Sequence, residues 1–315
     1  MKKLISIVCP THKRPKLQKR FARYVHDNCY DSKYSEIIFG IDNNDQLALQ
    51  AAEELKQEYG DNFIRTCLVE PDQEKIASIV NSCASIARAQ IVGNAADDVV
   101  FKSKNWDITV LKEFEKSEDK IILLWGDDGL WDAALASHYF LHKNWIKTVG
   151  HMQPTHFYAD WTDHWMQRLA KRLGRAVVIH DRERLFLEHL HAEFDGMEKD
   201  ETYYKVKKMR ERNKTEGIDI DSPELRNLHN EDKNVIIDAE TVRAIVVLSQ
   251  MNLHIWHNES NYRKGIKDGN NLELTHGLNG IRNTAKNKVQ ELAGGRKDYK
   301  IDCLAADFED WEISW

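Results

Sequence analysis

No stretch of this 315-residue chain approaches the roughly 18 consecutive apolar residues that a membrane-spanning helix needs. The longest apolar runs are of the kind Ile121–Trp125. The N-terminus is basic and then apolar, but its run of about five residues is too short for a signal sequence and reads as an opening β-strand. Cysteine is equally uninformative. Cys9, Cys29, Cys67, Cys83 and Cys303 are odd in number, widely spaced and without a C-x-x-C pair, which argues against a disulfide framework and a thiolate zinc site. Excess positive charge is missing too, since the net charge is −6, so any nucleic-acid binding needs a local basic face. The phosphate-loop, dinucleotide-loop, nucleophile-elbow and H-E-x-x-H signatures are all absent, and no internal repeat is found. With 42% hydrophobic residues, disorder and collagen-like repetition are excluded as well. The expectation is a soluble, intracellular protein of one large or two ordinary domains.

What the chain does contain, over its first ninety-odd residues, is alternation of strand and helix. Leu4–Cys9 reads as a buried strand ended by Pro10 and Thr11. Lys16–Cys29 carries Leu17, Phe21, Tyr24 and Val25 at helical spacing. Ile37–Ile41 is a second strand, stopped by the turn cluster Asp42–Asp45, and Gln46–Tyr59 a helix closed by Gly60. Ile64–Val69 (strand), Gln73–Ala89 (helix) and Ile91–Ala95 (strand) follow. Such alternation predicts βαβ units and a parallel sheet. Beyond Asp98 the pattern loosens to strands at Lys120–Trp125, Ala176–Ile179 and Arg184–Leu187, with a helix over Asp163–Leu173. Asp200–Lys233 is densely charged and reads as an exposed helix or mobile connector. Val235–Leu253 is a buried helical pattern. Asn270–Gly295 is an amphipathic helix, with Leu274, Leu278, Ile281, Ala285, Val289 and Leu292 on one side and Asn279, Arg282, Asn283 and Lys286 on the other.

Three features carry chemistry. Asp97 and Asp98 follow the fourth strand, and in open α/β sheets ligands bind at the carboxyl ends of strands. A carboxylate pair there can hold Mg²⁺ or Mn²⁺ against a diphosphate. Composition alone supplies about eight adjacent acidic pairs, so the position, not the pair, is the signal. Pro10, Thr11 and Arg14 sit where the first strand ends, beside a site for a nucleotide's base and phosphates, or form an ordinary solvated turn. Asp42 ends the second strand, placed to accept hydrogen bonds from a ribose or base edge; Asn81 can do likewise or be a surface amide. His189 and His191, at i and i+2, share one side of an expected strand, where either can complete a metal's shell.

Together these residues resemble an inverting glycosyltransferase of the A-type nucleotide-sugar fold, the broad family-2 kind. Ile5–Pro15 is similar to that family's first strand and donor loop, Ile37–Asp42 to its second strand with the terminal acid, and Asn81–Phe101 to the approach to its aspartate-rich metal motif. Glu188–His191 followed by Asp200–Tyr203 resembles a pattern of bacteriophage-encoded members. One departure is Ala95 at the first position of the D-x-D, which leaves Asp97 and Asp98 to share the work. The resemblance implies an α/β fold with an open, mostly parallel sheet flanked by helices and a mainly helical C-terminal extension. It divides the chain at residue 205, with a nucleotide-sugar and catalytic domain over 1–205 and an extension over 206–315. It implies a divalent metal, Mn²⁺ or Mg²⁺, held by Asp97, Asp98 and His189 or His191, and a nucleoside-diphosphate sugar donor, UDP-sugar favoured. Ala159–Trp165 resembles the segment supplying the base. Asp163 is then the candidate that deprotonates the acceptor, or else a plain helix cap, with Asp160 and Asp128 as alternatives. The location implied is the cytoplasm, the host's if the chain is viral.

The acceptor is less marked. Residues 263–300 hold nine basic residues against four acids, a local excess offset by five acids in 301–315. A basic face with Arg282 and Lys286 can track a phosphate backbone, so DNA with a hydroxylated base flipped from the stack is one expected acceptor, with Asp128 as a further acceptor-binding candidate. The alternatives are a solvated helix with a cell-surface glycan or small molecule as acceptor, a metal-dependent nuclease, or a non-catalytic DNA-binding protein. A nucleotide-sugar pyrophosphorylase is disfavoured, because no Gly-rich basic loop follows Thr11.

Overall fold

The computed structural model describes residues 3–70, 75–155, 157–191, 199–215, 239–265 and 271–292. Residues 1–147 with 151–220 form one compact unit and residues 148–150 with 221–315 a second.

The first unit is built on a seven-stranded sheet of strands β1 (Ile5–Pro10), β2 (Ser35–Asp42), β3 (Ile64–Val69), β4 (Ile91–Asn94), β6 (Leu123–Gly126), β7 (Tyr139–His142) and β8 (Ala176–Ile179). Their spatial order is β3-β2-β1-β4-β7-β6-β8. All neighbours are parallel except β7, which runs antiparallel to both β4 and β6. A short second sheet pairs β5 (Val99–Phe101) antiparallel with β9 (Leu187–His189). The mostly parallel sheet expected from the sequence is the one observed.

Every residue of β2 and the first five of β1 are buried, as parallel strands covered on both faces require. The covering helices are α1 (Pro15–Asn28), α2 (Gln46–Tyr59), α3 (Ile76–Ser85), α4 (Trp106–Glu115), α5 (Lys143–Val149), α6 (Thr162–Arg172) and α7 (Glu201–Thr215). Helix α1 starts with Pro15, whose fixed φ and missing N–H suit that place, and packs Phe21, Ala22 and Val25 inward. Asp45 caps α2 by accepting from the Ala48 amide at 3.0 Å. A chain of aromatic contacts runs through the core. Phe21 lies against Phe39 and Phe101, Phe101 against Trp106, and Trp106 stacks on Phe140 at 6.1 Å. Because Phe101 ends β5, these contacts anchor the Asp97–Asp98 turn to the sheet.

Topology fixes where a ligand can enter. The chain leaves β1 for β2 and β3 on one side, then returns through α3 to lay β4 on the other side of β1. Val8 pairs with Asn94, so the ends of β1 and β4 lie side by side at the point where strand order reverses. A crevice opens at such a switch point.

Several expectations shift. The third helix begins at Ile76 and ends at Ser85, since the amide of Ala87 turns back to Ala84. Arg184–Leu185 belongs to a turn whose amides return to Asp181, and the strand there is Leu187–His189. Helix α7 starts before the expected division at residue 205 and ends beyond it; its Asn213 is buried, holding the amide of Tyr158, so the helix is not a wholly solvated one. Strand β7 and helices α4 and α5 are additional to the sequence reading.

In the second unit, α8 (Ala239–Arg263) and α9 (Asn271–Leu292) form a helix pair. Asn258 donates to Thr275 at 2.8 Å across it, and Ala285 is buried. The Val235–Asp238 part of the expected helix, the Ala293–Gly295 end of the next one, and Lys267, Arg296, Lys297, Lys300 and Cys303 lie outside the described residues. Among the described residues no helix is long and apolar enough to cross a membrane.

Candidate active site

The turn after β4 presents two carboxylates at the switch point, Asp97 buried and Asp98 partly so. It is closed by the Val99 amide donating to Ala96 and by Ala95 donating to Val8 on β1. Asp97 accepts from the Thr11 hydroxyl at 2.7 Å and from Arg14 Nη1 at 3.2 Å, so the β1 loop meets the β4 turn directly. Arg14 Nη1 also lies 3.8 Å from Asp98. Strand β9 pairs His189 with Val99 and brings its Nε2 to 3.4 Å from Asp98 Oδ1. The Asp98 carbonyl accepts from the Leu190 amide at 3.2 Å and from Arg20 at 3.3 Å. The two sheets thus lock the pair from opposite sides.

The electrostatics follow from this geometry. Burial drives both carboxyls toward the neutral form. At Asp97, burial and the adjacent Asp98 charge prevail over Arg14 and Thr11, and the carboxyl titrates well above its usual range. At Asp98, burial is outweighed by His189 and Arg14, which hold that carboxyl low.

Further ties surround the pair. Arg14 grips Asp200 with two bonds, Nε to Oδ2 at 2.6 Å and Nη2 to Oδ1 at 2.8 Å. Lys13, left-handed at φ 52°, pairs with Glu201 at 2.7 Å, and the Thr202 hydroxyl donates to the His12 carbonyl at 2.5 Å. The start of α7 is therefore bound to the β1 loop. Asp42, at the end of β2, is buried and lies 3.2 Å from Lys205 and 3.6 Å from His12.

The other expected site residues fall as follows. Pro10 ends β1 and leads into the loop of Thr11 and Arg14. His191 lies beyond β9, which ends at His189, and their rings meet edge to face at 5.4 Å. Asn81 donates from its amide to the Gln153 carbonyl and accepts from the Met152 and Gln153 amides, so it fastens that loop to α3. Asp128 is 2% exposed, and its Oδ1 accepts from the Leu130 and Trp131 amides of the turn that follows it. Asp163 stands in the first turn of α6, half-buried, accepting from its neighbour His164 at the backbone N. Trp161 before it is left-handed at φ 67°, costly for a bulky side chain and a mark of local strain. Asp160 is paired with Arg210 at 2.9 Å. Arg282 donates to Asn252 on α8 at 2.6 Å, so the basic side of α9 expected to hold Arg282 and Lys286 out toward DNA is partly committed within the helix pair.

Sequence reading gives two members no place in the site. Asp200 figures only within the Asp200–Tyr203 pattern; it lies 186 positions from Arg14 and only the fold brings them together. His138, directly before β7, is buried and its ring meets that of His189 at 4.8 Å.

The donor set fits a hard divalent cation in kind, since two carboxylates and an imidazole meet at the end of β4. Among the described residues no three His, Cys, Asp or Glu side chains already converge as a finished cation site. The guanidinium of Arg14 instead provides the positive charge beside the carboxylates.

No protein-family model matches this sequence, and no curated protein matches it. Solved structures do. The mannosyltransferase PcManGT from Pyrobaculum calidifontis, in complex with GDP-Man and Mn²⁺, has a TM-score of 0.50 at 10% identity, over 93% of this chain and 85% of its own. Residues 1–349 of S. aureus TarS with UDP-GlcNAc give 0.48 at 11% identity over 92% and 81%. Glucosyl-3-phosphoglycerate synthase from Mycobacterium tuberculosis, with Mn²⁺, UDP and glucosyl-3-phosphoglycerate, gives 0.43 at 12% over 66% and 77%. The fold shared with the mannosyltransferase is the A-type nucleotide-sugar fold.

Proposed function

We propose that this chain is a metal-dependent glycosyltransferase that moves a sugar from a nucleoside-diphosphate sugar to an acceptor hydroxyl. One observation carries the reading: the Asp97–Asp98 pair at the β1–β4 switch point, Asp97 buried and Asp98 partly so, with His189 packed against it by the second sheet. The mannosyltransferase of like fold was solved with GDP-Man and Mn²⁺, and the residues present here suit the same kind of cation. Asp97, Asp98 and His189, with His191 adjacent, are the residues that would hold it. Bound there, a divalent cation supplies Lewis-acid stabilisation of the departing diphosphate.

The chain's own groups divide the remaining work. Asp42 accepts hydrogen bonds from the nucleoside, once Lys205 gives way. Thr11 and Arg14 line the diphosphate side, and Arg14 adds charge that favours the leaving group. Asp163 takes the acceptor's proton from the face opposite the diphosphate, which gives inversion at the anomeric carbon. The finer reading of the acceptor, a hydroxyl on a DNA base, is supported only by the cationic excess of residues 263–300 and is weakened by the Arg282–Asn252 contact.

The test is release of nucleoside diphosphate from a panel of UDP- and GDP-sugars with Mn²⁺, read by mass spectrometry. Metal-dependent release that Asp97→Asn abolishes supports the proposal. DNA cleavage without any donor, and no release from any donor, would replace it with the nuclease reading.

A further inference from the structure

His138 is difficult to explain as a packing residue. Its side chain is 6% exposed, yet neither ring nitrogen has a hydrogen-bond partner among the described residues. A neutral imidazole carries one donor and one acceptor, and leaving either unmatched in a buried site costs about 1–3 kcal/mol. A phenylalanine or leucine would fill the same space without that penalty. The position is as informative as the burial. Strand β7 lies antiparallel to β4 with Tyr139 opposite Asn94, so the residue before Tyr139 is held at the sheet end where the Asp97–Asp98 turn begins. There the His138 ring meets His189 edge to face with centroids 4.8 Å apart, and His189 reaches Asp98 at 3.4 Å. Two imidazoles that ligate one cation at about 2.1 Å stand with ring centres roughly 4.6–5.3 Å apart. The observed spacing falls in that interval.

We propose that His138 is a cation ligand, which joins Asp98 and His189 in one pocket and is marked by no motif in the sequence. The proposal rests on the cation reading given above and extends it to the residue that directly precedes the antiparallel strand β7. His138, Asp98 and His189 would hold the ion together; as they stand, the three side chains do not yet converge on one point.

The experiment uses the full chain with Mn²⁺ as probe, alone and with UDP or GDP, followed by the free-ion electron paramagnetic resonance signal and by calorimetry. His138→Phe is expected to melt no lower than wild type without metal, since it removes two unmatched polar atoms, and to bind Mn²⁺ about tenfold or more weakly. Equal Mn²⁺ affinity in His138→Phe and wild type overturns the assignment while leaving the cation reading intact. A wild type that binds no Mn²⁺ under any of these conditions overturns both. Should His138→Phe fail to fold, electron spin-echo modulation of Mn²⁺-loaded wild type decides: two imidazole nitrogens in His191→Ala protein support the proposal, and fewer refute it.

Discussion

Replacing Arg14 by methionine removes the positive charge from the centre of the site and keeps most of the side chain's length. The guanidinium lies 3.2 Å from Asp97, 3.8 Å from Asp98 and within 2.8 Å of both Asp200 oxygens. Stripping one partner from a buried ion pair costs about 3–5 kcal/mol. Two effects reduce that figure here. The Asp200 side chain is 33% exposed, so its share is worth under about 1 kcal/mol. Asp97 can also relieve the repulsion by taking up a proton. The net expectation is a loss of about 2–4 kcal/mol at pH 8, or a melting temperature lower by roughly 5–15 °C for a unit of this size. The sign with pH follows from Asp97. Its folded carboxyl titrates above the unfolded value, so holding it charged is a cost that grows as pH rises, and removing Arg14 enlarges that cost. The gap between variant and wild type should therefore narrow at pH 5.5. Millimolar Mn²⁺ should recover part of the loss at pH 8, because a divalent cation answers the same two charges. Calorimetric melting at both pH values, with and without Mn²⁺, measures all of this. An Arg14→Met protein that melts with wild type at pH 8 would refute the electrostatic account of the site.

Three other outcomes follow from particular contacts. Asp163→Asn should lower sugar transfer by at least a hundredfold while nucleoside-diphosphate affinity stays within about twofold; retained turnover removes Asp163 from the role of base. Lys205→Met frees Asp42 and should tighten nucleoside-diphosphate binding by about two- to tenfold in calorimetry, whereas weaker binding would make Lys205 a ligand rather than a competitor. Arg88→Leu deprives the fully buried Glu36 of its closest charge, 2.6 Å away, and leaves the Ser6 hydroxyl, the backbone amide of residue 88 and the more distant Arg65 to hold it. It should destabilise the first unit by about 3 kcal/mol in denaturant melts, and a change below about 1 kcal/mol would count against a charged Glu36.

The parts of the fold that read well from sequence are those whose signal is local. Strands β1, β2 and β3 are short apolar runs closed by turn residues, and α1 and α2 each show a repeating inward face with a proline or aspartate at the start. Asp97 and Asp98 were legible because they directly follow such a strand. Strand β7 was not. Its four residues Tyr139–His142 carry no alternation, and they belong in the sheet only because β4 and β6 flank them. The Arg14–Asp200 grip and the His138–His189 contact span loops and whole domains of sequence, so no spacing rule reports them. Asn81 and Asp128 are polar residues whose backbone-fastening bonds, to Met152 and Trp131, no spacing in the sequence announces.

The central claim is that Asp97 and Asp98 hold a divalent cation against a diphosphate. Anomalous diffraction at the manganese edge, from crystals grown with Mn²⁺ and UDP or GDP, tests it most directly. A single peak bonded to one or both carboxylates and to the nucleotide's phosphate oxygens is the expected result. A nucleotide bound at the β1–β4 crevice with Arg14 still clasping the two aspartates and no manganese beside them would contradict it.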